Sequence, residues 1–232
     1  MKKKNKAIYL LFLMPFVYFA TACFVVWLVK TSGIYPSGSD TMYHVYRGDY
    51  VYNAIKSGNW YPLYDPAWYN GVEILRYWSP FPAYVMAFCQ YLAGGSQFGA
   101  YLFYIGGVCF LGACVWPFIG RGFNRPYLGA FIGLLWFFMP NNLCAIFIEG
   151  NLARSLSMIF LPVFIYSVYK YLYNHKLRYI PLMVFTFLLM ELCHLGYAGM
   201  VAIAVIIYGI VYMIQKGRKK AVLDVVISMI FG

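Results

Sequence analysis

The sequence predicts an all-α protein, a polytopic bundle of transmembrane helices with a large extracytoplasmic first loop that contains a juxtamembrane helix. Three observations carry this. Hydrophobic residues make up 63% of the 232 residues and charged residues 11%, with a mean hydropathy of +0.67. A soluble domain carries about 25% charged and about 45–50% apolar residues, so there is too little polar surface here to coat a globule in water. Uncharged stretches of spanning length recur along the chain, and the basic residues fall in short clusters between them. That is how membrane topology is written, so the net charge of +11 reads as topology, and nucleic acid is not an expected partner.

The first element is 7–29, uncharged throughout and preceded by Lys2, Lys3, Lys4 and Lys6. At about 1.5 Å per residue it reaches the roughly 30 Å of a bilayer core. Ala20-Thr21-Ala22-Cys23 loosely resembles a signal-peptide cleavage site or lipobox. The apolar run nevertheless continues through Phe24–Val29, past the end of a signal peptide's apolar core, which favours an uncleaved anchor. Further spans are expected at 98–119, 126–148, 155–173, 179–196 and 197–214. A last apolar stretch starts at 221 and is too short to cross by Gly232. The expectation is therefore an amino-terminal fragment, with further carboxy-terminal membrane helices as its structural partners.

The stretch 80–93 decides the topology. It is apolar but only about 21 Å long as a helix. If it does not cross, Lys2–Lys6, Arg121/Arg125, Lys176/Arg178 and Lys216/Arg218/Lys219/Lys220 share one side, and Lys170 can snorkel to them. Only Lys30, Arg47, Lys56, Arg76 and Arg154 then lie opposite, a bias of thirteen to five. If it does cross, the clusters split four against eight and the positive-inside rule fails. Residues 80–93 are thus expected to form an interfacial or re-entrant helix on the outer face. The amino terminus is cytoplasmic in this reading, and 30–97 is one extracytoplasmic loop.

Four of the seven acidic residues, Asp40, Asp49, Asp65 and Glu73, lie in that loop. Ser37-Gly38-Ser39-Asp40 signals a helix start and Gly58 a stop, predicting a helix over 41–57. Asp40, His44 and Arg47 then recur at i, i+4 and i+7 on one face. A carboxylate, an imidazole and a guanidinium so placed suit a general base, a proton partner and a cation for a phosphate leaving group. The same residues also fit a plainer reading: Asp40 caps the helix, Arg47 meets lipid phosphates and His44 is incidental. The loop's aromatics divide likewise between a membrane belt and a surface that stacks on sugar rings. Glu149-Gly150-Asn151 falls in the next outer turn, where Asn151 or Ser155 could cap the following helix. Glu191 and His194, at i, i+3, could line a cavity or pair to hold the bundle. The six cysteines are scattered without metal-like spacing and read as buried free thiols.

The runs Gly38-Ser39-Asp40-Thr41-Met42-Tyr43-His44-Val45-Tyr46-Arg47, Gly58-Asn59-Trp60-Tyr61-Pro62, Trp68-Tyr69-Asn70-Gly71 and Tyr77-Trp78-Ser79-Pro80 resemble the first outer loop of GT-C membrane glycosyltransferases. More closely, the chain resembles bacterial membrane proteins labelled 6-pyruvoyl-tetrahydropterin synthase-related. It does not resemble the soluble enzyme in that label, since its three histidines are well separated. The GT-C resemblance covers about residues 1–165. It implies Asp40 as the catalytic acidic residue after the first membrane helix, Glu149 as a second polar residue of the site, and a juxtamembrane helix that agrees with the charge argument. No Asp-x-Asp pair is present, so the metal-binding pattern of some relatives is not matched. No cofactor is identified, although a divalent metal is compatible with the family.

The function expected is transfer of a sugar from a polyprenyl-phosphate donor to an extracytoplasmic acceptor with inversion. Asp40 would be the base with His44 beside it, and Arg47, Trp60, Trp68, Arg76 and Glu149 would bind substrate. A transporter or flippase for a lipid-linked substrate is the alternative, and a non-catalytic membrane protein a third. The partners expected are the lipid-linked sugar donor and the surrounding membrane lipids.

Overall fold

The computed structural model describes the backbone of residues 2–36 and 38–232, and the side chains from residue 12 onward except at 37. The side chains of Lys2, Lys3, Lys4 and Lys6, and Ser37 of the helix-start signal, lie outside the described residues. The chain divides into two compact units, ending at Leu156 and beginning at Ser157.

The first unit holds α1 (Lys2–Ser32), α2 (Thr41–Lys56), α3 (Phe81–Leu92), α4 (Gln97–Gly122), α5 (Pro126–Leu135) and α6 (Pro140–Leu143), and the start of α7 (Leu152–Asn174). The second holds the rest of α7, α8 (Tyr179–Cys193), α9 (Leu195–Lys216) and α10 (Lys219–Ile230). Among the described residues there is no strand, only an isolated antiparallel bridge between Asp65 and Val72. Among the described residues, five helical stretches are long and apolar enough to cross a membrane: Phe12–Ser32, Gln97–Gly122, Pro126–Ile148, Leu152–Asn174 and Leu195–Lys216. The protein is an all-α, polytopic membrane protein.

Both expected loop helices form. α2 begins directly after Asp40, and α3 starts at the Pro80-Phe81-Pro82 signal, where proline suits the first helical turn. A small core of Val51, Ile74, Leu75, Ala83 and Ala87 binds α2, α3 and the intervening loop into one body.

Two spans differ in detail from the simple reading. The stretch 126–148 is not one helix. Pro140 has no N–H and forces Met139 into extended backbone (φ −62°, ψ 122°), so α5 tightens through a 3₁₀ turn at Trp136–Phe138 and then breaks. The Asn142 side chain donates to the Trp136 carbonyl at 2.8 Å, restoring one bond that the break removes. After α6, a π turn at Cys144–Ile148 leads to Glu149. In the second unit, α8 has fifteen residues, about 22 Å of rise against the roughly 30 Å of a bilayer core. It stops because His194 turns to extended backbone and its Nδ1 accepts the Tyr197 N–H at 3.0 Å, capping α9.

Helix packing in the first unit relies on small residues, as expected in lipid. A Cβ on Gly120 would lie 2.6 Å from Gly129 Cα, so α4 and α5 approach backbone to backbone. Tyr18 ties α1 to α5 by donating to the Ala130 carbonyl at 2.8 Å. The second unit is built around Phe164, Met183, Phe187 and Met190, with Tyr171 donating to the Asp224 carboxylate.

Candidate functional site

The turn that carries Asp40 is clasped by a turn 110 residues further along the chain. The Asp40 amide donates to the Glu149 carbonyl at 3.1 Å, and Ser39 Oγ lies 3.1 Å from that same oxygen. The two turns touch backbone to backbone. A Cβ on Gly38 would meet Gly150 Cα and N at 2.6 Å, and one on Gly150 would meet Thr41 Oγ1 at 2.1 Å. Gly150 also has φ +68°, a conformation that glycine adopts at no steric cost. Gly38 and Gly150 are therefore a matched pair at one contact.

The capping reading of Asp40 does not hold. Asp40 occupies the N-cap position of α2, but its carboxylate accepts no bond from the helix amides. Oδ1 lies 3.1 Å from Ser39 Oγ, whose one proton can serve either Asp40 or the Glu149 carbonyl at a given moment. The carboxylate is partly exposed, and among the described residues it forms no ion pair. Asn151, by contrast, does cap its helix: Oδ1 accepts the Arg154 N–H at 2.9 Å.

Glu149 itself is tied sideways. Its Oε2 pairs with Arg154 at 2.7 Å and its Oε1 lies 3.3 Å from Cys144 Sγ. The Arg154 side chain is 19% exposed and that of Glu149 37%. The π turn immediately before Glu149 is a type of local distortion that recurs at functional sites. Asp40, Ser39, Glu149 and Arg154 thus form one continuous polar cluster, joined by short bonds.

His44 and Arg47 share a helix face, as the spacing predicts, but that face is buried. Thr41, His44, Val45, Arg47, Gly48 and Val51 form the inner side of α2. His44 is 8% exposed, with its ring beside that of Tyr43. Arg47 is 1% exposed. Its guanidinium donates to the Trp78 and Ser79 carbonyls at 3.3 and 3.4 Å and lies 5.4 Å from the Tyr43 ring centre. Burial lowers the Arg47 pKa, opposed by the Tyr43 phenol; burial raises that of Tyr43, opposed by Arg47. In this structure the guanidinium faces protein carbonyls, so it acts as a strut between α2 and the 78–79 turn.

The aromatic residues also sort differently from the sequence reading. Trp68 packs on Tyr43 and Tyr46, at 5.2 and 4.5 Å between ring centres, and Trp78 on Tyr43 at 5.8 Å. Trp60, expected to join Trp68 in a platform, is 71% exposed and is fixed through its carbonyl, which accepts from Tyr84 at 2.7 Å. Trp78, rather than Trp60, packs beside Tyr43. Arg76 is bound to both oxygens of Glu73, at 2.9 and 2.7 Å, an exposed pair three residues apart. The loop segment beyond α2 is stapled by Asp65, 2% exposed, which accepts from Tyr46 at 2.5 Å and from the Ala67 N–H at 2.9 Å.

Sequence reasoning missed Ser39, Arg154 and the role of Gly150. The signal was present: Gly38 lies two residues before Asp40, Gly150 follows Glu149, and Arg154 lies on the first turn of the helix after Glu149. Among the described residues no group of three or more His, Cys, Asp or Glu side chains could hold a metal ion.

A family model described as 6-pyruvoyl-tetrahydropterin synthase related domain, a membrane protein, matches residues 75–232, more than half of the chain. That segment contains Arg76, Glu149 and Arg154 and begins after Asp40, His44, Arg47, Trp60 and Trp68. No curated protein and no solved structure matches the chain.

Proposed function

The chain belongs to the 6-pyruvoyl-tetrahydropterin synthase related family of membrane proteins, and within that family we propose that it is a GT-C-like glycosyltransferase. It moves a sugar from a polyprenyl-phosphate donor to an acceptor hydroxyl on the extracytoplasmic side. In this reading the amino terminus is cytoplasmic and the 30–97 loop faces out, which the thirteen-to-five division of basic residues supports. The observation that carries the reading is the Asp40 carboxylate: it is clasped by Glu149 through the backbone yet spends neither oxygen on capping α2.

Asp40 takes the proton from the acceptor hydroxyl as that oxygen attacks the anomeric carbon. The bond to the lipid phosphate breaks on the opposite face, so configuration inverts and polyprenyl phosphate leaves. A positioned base of this kind is worth about 10²–10⁴ in rate. Arg154, held beside the clasp by Glu149, is the cation best placed to offset charge on the departing phosphate. Arg47 holds the loop from inside, and Arg76 is engaged with Glu73. Trp68, Trp78 and Tyr43 form the aromatic wall against which a sugar face stacks.

The test uses the purified protein in nanodiscs with a panel of radiolabelled polyprenyl-phosphate sugars. Wild type turns over one donor, and Asp40→Asn, equally folded, does not. Equal turnover by both removes Asp40 from the chemistry. A transporter for a lipid-linked substrate is the second reading, favoured by the break at Met139-Pro140, since discontinuous membrane helices form binding sites in transporters. Donor binding without any turnover decides for it.

A further inference from the structure

Between α1, α3 and α4 of the first unit lies a cleft of about 880 Å³, within the roughly 300–1,000 Å³ of small-molecule sites. Its walls are apolar and unfilled: Trp27, Phe88 and Phe103 line it and are each more than half exposed. α1 and α4 run antiparallel along it, since Phe19 meets Phe110 edge to face and Val26 lies over Gly106. From Phe19 to Lys30, the lining residues of α1 cover about 16 Å of helix rise. Among the described residues that line the cleft, Lys30 alone carries a charge, and it stands at one end, in the last turn of α1.

The glycine pair on α4 shows that the space is built into the sequence. A Cβ on Gly106 would meet Val26 at 2.9 Å, so Gly106 is needed for α1 to approach. A Cβ on Gly107 would meet nothing within 4 Å. Packing therefore does not explain Gly107, although glycine is the least favourable residue in a helix interior after proline. Its missing side chain leaves the cleft open. The cleft is long and apolar with its one charge at an end, and a hydrocarbon chain bearing an anionic head group matches that pattern.

We propose that this cleft binds the isoprenoid chain of a polyprenyl phosphate, with the phosphate held by Lys30. The inference rests on the lipid-linked donor of the proposed function and adds where the lipid is gripped and which residue reads its head group.

The probe is a polyprenyl phosphate carrying a diazirine on its chain, added to the full chain in nanodiscs, with labelled residues identified by mass spectrometry. Labels are expected on the α1, α3 and α4 walls. Gly107→Leu, whose Cβ would meet no neighbour and whose branched side chain would project from a lining position, should lose most of the labelling. Lys30→Gln, at an exposed position that folding does not need, should weaken binding of the phosphate about tenfold while leaving the neutral polyprenol unchanged. Labels lying elsewhere overturn the proposal, as does displacement of the probe by phosphatidylglycerol as readily as by unlabelled polyprenyl phosphate, or equal loss of phosphate and alcohol in Lys30→Gln. The readout is binding and not turnover, so the two ideas fail separately. Asp40-dependent transfer without cleft labelling rejects the cleft alone, and cleft labelling without transfer of any donor rejects the transferase alone.

Discussion

The amide of Asp40 and the carbonyl of Glu149 are hydrogen-bonded at 3.1 Å across 109 positions of sequence. This bond, with Ser39 Oγ on the same oxygen, joins the loop after the first span to the turn after the broken third span. The Asp40 turn is thereby positioned from its own backbone, and the carboxylate is not spent on capping α2. Removing that side chain should therefore cost almost no stability. Asp40→Ala is expected to behave as a surface change, within about 0.5 kcal/mol, or about 1–2 °C in Tm for a chain of this size. An ordinary N-cap loss costs about 1 kcal/mol, and thermal unfolding in detergent separates the two. A larger drop would mean that the carboxylate caps α2 after all.

Gly150→Ala should act in the opposite way. The added methyl would sit 2.1 Å from Thr41 Oγ1 and 2.6 Å from Thr41 N, on a residue with φ +68°. Backbone strain of this kind costs about 1–3 kcal/mol, and the clash pushes the Asp40 turn away from Glu149. Transfer activity is expected to fall at least tenfold, since about 1 Å of misplacement can cost about 10²-fold, while the spans still insert. Activity and membrane-integrated yield, measured together, test this. Retained activity would show that the clasp is not needed to place Asp40.

Much of the fold was legible in the residues, and the reasons are local. α2 and α3 follow their predicted bounds within about a residue or two because Gly58, Pro80, Pro82 and Gly94 set their limits through backbone geometry alone. The long apolar runs were legible because lipid demands them. The break within 126–148 was not, because Pro140 in an apolar run reads as a kink until the extended Met139 and the π turn are seen. The Asp40–Glu149 clasp was not legible either. Helical spacing relates residues on one face and says nothing about two glycine turns meeting from distant parts of the chain. The same limit explains Arg47, whose face was foreseen while its burial was not, and the exchange of Trp60 for Trp78 beside Tyr43.

Arg47 gives a test of what a buried cation does without a carboxylate. Its head group meets two carbonyls and an aromatic ring, while its Nε finds no partner. Replacing it with Lys keeps the charge but loses the planar fork and stacking and adds a more strongly hydrated ion. Replacing it with Met removes the charge and keeps the stem's packing, which often costs little at buried ionic positions. Arg47→Lys is therefore expected to be the more destabilising variant, by about 1–2 kcal/mol in denaturant unfolding. The reverse order would show that Arg47 is needed there for its charge.

The Glu149–Arg154 pair lies between surface and core, so its loss should fall between the about 0–1 kcal/mol of exposed pairs and the about 3–5 kcal/mol of buried ones. Arg154→Gln is expected to cost about 1–2 kcal/mol and, if Arg154 meets the leaving phosphate, to lower kcat for a phosphate donor more than it raises KM. Steady-state kinetics beside a melting curve distinguish the two effects. A melting change with unaltered kcat would leave Arg154 as a tether for Glu149.

Tyr46 and Asp65 give the loop a sensitivity to alkaline pH with a definite sign. Burial first, and then the 2.5 Å bond to Asp65, push the Tyr46 phenol from its ordinary 10.0 up to about 12. A group whose pKa is raised on folding adds stability that is fully present below about pH 10 and is lost as the pH climbs through about 12. Limited proteolysis of the 64–72 segment in the wild type should therefore accelerate across that window. Tyr46→Phe should cleave faster at neutral pH, because it leaves one oxygen of a buried carboxylate without its donor, at about 1–3 kcal/mol. It should also lose the alkaline acceleration, having no phenol to ionise. An alkaline profile unchanged in Tyr46→Phe would assign the transition to Tyr50, whose hydroxyl donates to the Tyr64 carbonyl at 2.7 Å beside the same segment and whose pKa burial also raises.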